Sequence, residues 1–133
     1  MTRSRTASFL RWALLADATA TGGTALLMLL FARPLESLLN LPAELMLNAG
    51  IVLVPYAAIV GFLGTRATLP NWAVWSVIGA NVLWAIDSFW LLVSGWVAPS
   101  ALGYAFVIGQ ALVVGLFAEL QYVGLRRSTP ATA

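Results

Sequence analysis

Four long apolar runs, separated by short polar links, constrain this chain more than any other feature of its sequence. They cover residues 9–31, 43–64, 72–95 and 101–125. About 20 apolar residues at ~1.5 Å each cross the ~30 Å hydrocarbon layer of a bilayer, and every run is that long. Lipid offers no hydrogen bonds to a bare backbone, so each run must satisfy its own amides and must be a helix. Charged residues make up only 9% of the chain. A water-soluble domain carries about 25%, so there is too little polar surface here to face water on all sides. The fold class is therefore all-α, an integral membrane bundle forming one domain over residues 1–133. Short links favour an up-down-up-down four-helix arrangement.

The links and ends carry the topology. Residues 1–8 read as a short disordered or interfacial tail, and a Ser/Thr/Pro/Ala tail follows Arg127. The first run is preceded by arginine, as in a secretory signal. It is too long for one, Asp17 interrupts it, and LLFARPLE after it lacks an A-x-A-like cleavage site, so it reads as a retained span. Residues 34–41 read either as a short helix in the membrane interface, with Leu35, Leu38 and Leu39 on one side, or as an ordinary capped loop. Pro55 inside the second run predicts a kink. With the N-terminus inside, Arg3, Arg5, Arg11, Arg66, Arg126 and Arg127 are cytoplasmic and only Arg33 lies outside. Trp12, Trp72, Trp75 and Tyr122 then belt the inner interface, and Phe31, Trp90, Trp96 and Tyr104 the outer one. The expected location is the bacterial inner membrane, multi-pass, with both termini cytoplasmic.

Against that apolar background, polar residues within the spans stand out, because a charge at the bilayer centre costs at least roughly 2.5–3.5 kcal/mol. Asp17, Asp87 and Glu119 are the acids. Asp17 is six residues past Arg11 and Glu119 seven before Arg126, placing both about 9–10 Å from the same side. Side by side they would share a proton or bracket a cation. Thr21 and Thr24 continue the Asp17 face of the first helix, and Tyr122 lies three residues beyond Glu119. Asp87 falls nearer the other side, at a depth comparable to Asn48, with Asn81 and Gln110 towards the middle. Gln110 and Glu119 are nine apart and point to opposite sides of the fourth helix, which interrupts any continuous polar wire. These residues are the candidate proton, ion or polar-ligand site. The bland alternative is interhelical hydrogen bonding, worth about 0.6 kcal/mol per contact on average. Gly22, Gly23, Gly61, Gly64, Gly79, Gly103, Gly109 and Gly115 read as places where helices approach closely.

Several chemistries are excluded by composition. The chain has no cysteine, histidine or lysine. Thiol chemistry, the usual zinc sites, His-ligated haem and Schiff-base formation therefore have no residues to use. There is no GxSxG, P-loop, HExxH or GxGD pattern, and the two halves show no internal repeat in their polar residues. No enzyme activity, cofactor, metal or nucleic-acid partner is expected. The expected partners are the lipid bilayer and further copies of the chain or a larger membrane complex.

The stretches ANVLWAIDSFWLLVSGWVAPSALGYAF and FAELQYVGLRR resemble those of small four-helix bacterial inner-membrane proteins, a resemblance of pattern that brings no activity with it. In length, span number and an acidic residue in the first helix, where Asp17 stands, the chain is also similar to small multidrug resistance transporters. It departs from them in carrying Asp rather than Glu there, and in a strong arginine bias that antiparallel dimers do not need. The functional expectation is a non-enzymatic scaffold or accessory protein acting through helix contacts. The alternative is a small proton- or cation-linked transporter using the intramembrane carboxylates.

Overall fold

A computed structural model describes residues 3–130. It contains four helices, α1 (Ser8–Leu39), α2 (Ala43–Leu63), α3 (Asn71–Val93) and α4 (Ala101–Arg127), all long and apolar enough to cross a membrane. Three short strands accompany them: β1 (Arg3–Arg5), β2 (Thr68–Pro70) and β3 (Thr129–Pro130).

The strands overturn the expectation of loose ends. β1 is the middle strand of a small antiparallel sheet, pairing Ser4 with Leu69 on one side and with Pro130 on the other. The Ser4 hydroxyl donates to Asn71 Oδ1 at 2.6 Å, and the amide of Ala7 donates to Ser128 Oγ at 3.1 Å. The start of α1, the link before α3 and the end of α4 are thereby gathered at one end of the bundle. Residues 1–2 and 131–133 of the expected tails lie outside the described residues.

At the opposite end the two remaining links clasp each other. The Ser100 amide and hydroxyl donate to the carbonyls of Leu39 and Leu38, at 3.0 and 2.8 Å. With both ends pinned in this way, α1 and α3 run in one direction and α2 and α4 in the other. α1 packs against α2 and α4, and α4 against α3. The backbones of α2 and α3 stay apart, leaving a seam between them.

α1 accounts for the segment read as an interfacial helix or a capped loop. It is one helix of 32 residues with a break at Phe31 (φ −123°, ψ 25°). Pro34 causes the break: it has no N–H to donate, and its ring crowds the carbonyl four residues earlier. The helix resumes and ends at Leu39, where Asn40 takes a left-handed conformation (φ 54°) and its amide caps onto the Glu36 carbonyl. Leu39 and Leu41 enter the core, with Leu35 packed against it, whereas Leu38 stays exposed. The apolar side of this turn therefore faces the bundle more than the interface. Glu36 also accepts the Ala43 amide at 2.8 Å, placing a carboxylate on the positive end of α2. α2 runs as one continuous helix through Pro55.

Close approach occurs at glycines, though not at all the expected ones. A Cβ on Gly64 would lie 2.8 Å from Leu15, one on Gly50 2.8 Å from Leu29, and one on Gly124 2.7 Å from the Leu10 backbone. Gly23, Gly79, Gly109 and Gly115 face open space instead. The α1–α2 and α1–α4 seams are thus the tight ones. Two apolar core clusters result. One, near the strands, holds Leu10, Leu14, Val60, Val74 and Val77, and the other, near the clasp, holds Ala25, Met28, Met46, Leu53 and Val107. A layer of polar side chains divides them.

Candidate functional site

Asp17 is the centre of that layer. It projects from α1 into the middle of the bundle and is completely enclosed, at 0% exposure. Its Oδ1 accepts the Thr21 hydroxyl at 2.9 Å, one turn further along the same helix. Its Oδ2 accepts two amide donors, Asn81 Nδ2 of α3 at 2.9 Å and Gln121 Nε2 of α4 at 2.7 Å. Asn81 Nδ2 donates in addition to Gln121 Oε1 at 2.9 Å, and Tyr56 of α2 donates its hydroxyl to Asn81 Oδ1 at 2.8 Å. Each of the four helices contributes a member. Counted from the helix ends at the strand side, Gln121, Tyr56, Asp17 and Asn81 lie about 9–15 Å deep.

Every donor to the Asp17 carboxylate is neutral, and each oxygen is occupied by partners from its own bundle. The arrangement is a closed hydrogen-bonded knot. It satisfies its members in the buried interior of the bundle, where an unpaired polar group would be costly.

The pairing of Asp17 with Glu119 does not form. Glu119 is on the outer surface of α4 and, among the described residues, makes no hydrogen bond or ion pair. Two residues along a helix turn the side chain by about 200°, so the face that buries Gln121 turns Glu119 outward. Tyr122 is also on the outside, its ring 5.7 Å from that of Trp75 and its oxygen accepting from Arg126 at 3.2 Å. Asn81 joins Asp17 directly instead of standing midway along a wire. Gln121 and Tyr56 were not foreseen in the sequence. A signal for Gln121 existed: it is eleven residues after Gln110, three full turns, and so shares the face that Glu119 opposes.

A second polar group lies nearer the clasp. Trp84 Nε1 donates to Gln110 Oε1 at 2.8 Å, and Gln110 Nε2 donates to Ser88 Oγ at 2.8 Å, locking α3 to α4. Thr24 spends its hydroxyl on the Ala20 carbonyl of its own helix. Asn48 is exposed on α2, has no hydrogen bond among the described residues, and does not meet Asp87.

Two cavities flank this lock. The larger, about 390 Å³, touches all four helices and is walled by Leu53, Tyr56, Trp84, Val114 and Phe117, with Thr21 and Asn81 at its floor. The smaller, about 220 Å³, continues towards the clasp between Met28, Met46 and Phe106. Trp84, Asp87 and Gln110 border both. Asp87 makes no hydrogen bond or ion pair among the described residues. The three acids are thus separated: Asp17 is sealed, whereas Asp87 and Glu119 are both exposed, Asp87 at the border of the two cavities and Glu119 on the outer face of α4. Among the described residues, no group of acids is placed to hold a metal ion.

Compared with known protein families, characterised proteins and solved structures, the chain matches none.

Proposed function

We propose that this small membrane protein is a non-enzymatic scaffold or accessory protein, working through helix contacts with further copies of itself or with a larger membrane complex. The observation that carries this reading is the occupancy of Asp17. The most deeply placed acid spends both oxygens on Thr21, Asn81 and Gln121, joining α1, α3 and α4 and, through Tyr56, α2. A carboxyl group held in this way rigidifies a bundle, and none of its three donors is a group that a substrate would bring. Large apolar side chains such as Leu30, Trp90, Val93 and Trp96 cover the outside, where lipid or other helices would meet them.

The location we propose is a bacterial inner membrane with the strand end cytoplasmic. Arg5, Arg11, Arg66, Arg126 and Arg127 gather at that end and Arg33 stands at the other, the asymmetry that retains positive loops inside.

A proton- or cation-linked transporter is the second reading, and the cavity bordered by Asp87 is what favours it. Reconstituted vesicles separate the two. The scaffold reading expects no pH-driven ion flux. A flux that disappears in Asp17→Asn or Asp87→Asn, at equal protein level, would overturn it in favour of transport.

A further inference from the structure

The arginines at the strand end have no acidic partners. Arg5, Arg11, Arg66, Arg126 and Arg127 are exposed there, and among the described residues none forms an ion pair. The acids of the chain are placed elsewhere. Glu36 and Glu44 stand at the clasp end, Asp87 borders the cavities, Asp17 is sealed, and Glu119 lies further into the span on the outer face of α4. Neutral groups hold the guanidinium groups instead. Arg11 Nε donates to the Gly64 carbonyl at 3.4 Å, while Arg66 lies 5.3 Å from the Phe62 ring, Arg126 5.7 Å from Tyr122 and Arg127 4.8 Å from Phe9. A ring face attracts a guanidinium without accepting its in-plane N–H groups, which stay available to an oxyanion.

The corner between α1 and α4 differs from the rest of this end. Phe9, under the Arg127 guanidinium, packs in turn on Trp12 at 6.0 Å, and the Trp12 indole is exposed. Arg5 pairs through its backbone with Thr129, just beyond Arg127, and so brings a second arginine to the same corner. Arg126 has a poorer setting, because Glu119 lies seven residues earlier on the same stripe of α4 and opposes an anion there. On α1, Ala16, Ala20 and Gly23 follow Phe9 along one side, and a Cβ on Gly23 would meet nothing within 4 Å. On the side of α4 that carries Arg127, Val113 and Leu116 are exposed.

We propose that this corner seats an anionic phospholipid, with its phosphate at Arg127 and Arg5 and an acyl chain along the small residues of α1. Charge sets the class of lipid. A guanidinium fork matches the oxygens of a phosphate, whereas a zwitterionic headgroup brings an ammonium of its own that offsets the phosphate. Depth selects a lipid over a soluble anion. Phe9 and Trp12 lie within about 6 Å of the start of α1, the level at which aromatic rings meet headgroups. This inference goes beyond the scaffold reading and does not depend on it.

The test is native mass spectrometry of the full chain in neutral detergent, titrated with phosphatidylglycerol and with phosphatidylcholine of identical acyl chains. An arginine near an anionic membrane surface is worth about a factor of five in binding. The first phosphatidylglycerol is therefore expected to bind about tenfold or more tightly than the first phosphatidylcholine. Arg127→Gln and Arg5→Gln are each expected to lower that preference about three- to fivefold, and the double variant to abolish it. Arg33→Gln, at the clasp end, and Arg66→Gln, beside Phe62, are expected to bind as the native chain does. Thermal melts of each variant establish that it is folded. An excess of glycerol 3-phosphate separates the two sources of phosphate, and the lipid is expected to stay bound. Its displacement would identify a free anion as the ligand and overturn the proposal. Equal binding of the two lipids, or an undiminished preference in the double variant, would overturn it as well. An equal loss in Arg66→Gln would also overturn it, assigning the attraction to the whole strand end instead of this corner.

Discussion

Two substitutions at Asp17 separate hydrogen-bond geometry from charge. Asp17→Ala removes three acceptor contacts. Their losses are unequal. Thr21 can redirect its hydroxyl to the carbonyl one turn back, as Thr19 and Thr24 already do with Leu15 and Ala20. Asn81 Nδ2 keeps Gln121 Oε1. Gln121 Nε2 loses its partner and stays completely enclosed. Two interhelical bonds at about 0.6 kcal/mol each, plus one orphaned buried donor at about 1–3 kcal/mol, give a cost of about 2–4 kcal/mol. Asp17→Asn is different. Its remaining oxygen can take the Oδ2 position and accept from Asn81 and Gln121, while the new amide donates to Thr21 Oγ1. Every partner stays satisfied and no ionisable group is buried, so the expected change is under about 1 kcal/mol in either direction. The assay is unfolding by sodium dodecyl sulfate in mixed micelles, followed by tryptophan fluorescence. If Asp17→Asn proves as destabilising as Asp17→Ala, the charge and not the hydrogen-bond geometry is what the bundle requires, and the argument fails.

Other outcomes follow from the packing. Gly124→Ala would press a methyl group onto the Leu10 backbone at 2.7 Å and should cost about 1–3 kcal/mol, whereas Gly79→Ala meets nothing within 4 Å and should leave the melting temperature level or higher. Trp84→Phe removes the Gln110 contact but leaves Gln110 bonded to Ser88 and Val107, so a loss near 0.6 kcal/mol is expected in the same unfolding assay. Because the native chain has no cysteine, single cysteines at Thr129, Arg66 and Ser94 report topology. An impermeant maleimide should reach the first two from one side of the membrane and the third from the other, and labelling of Thr129 and Arg66 from opposite sides would contradict the fold.

Hydropathy along the chain is a local property, and it was enough to place four helices and to exclude thiol, imidazole and lysine chemistry. The sequence placed Asp17 inside the first span. It could not say how far each helix is rotated about its own axis, and that rotation chose the partners. The fit of Gly124 against Leu10 turns Gln121 inward and Glu119 outward, so an acid–amide knot stands where depth alone suggested two acids. The strands were equally hidden, because β1 is stabilised by segments more than 60 residues away and by no pattern of its own. Sequence thus determined that the chain spans a membrane, and which polar residues must be accommodated there. The tertiary structure alone decided which of them are sealed by one another, as Asp17 and Asn81 are, and which, such as Asp87 and Glu119, are left exposed. Pairing energy depends on where side chains meet across helices, and periodicity within one helix does not contain that information.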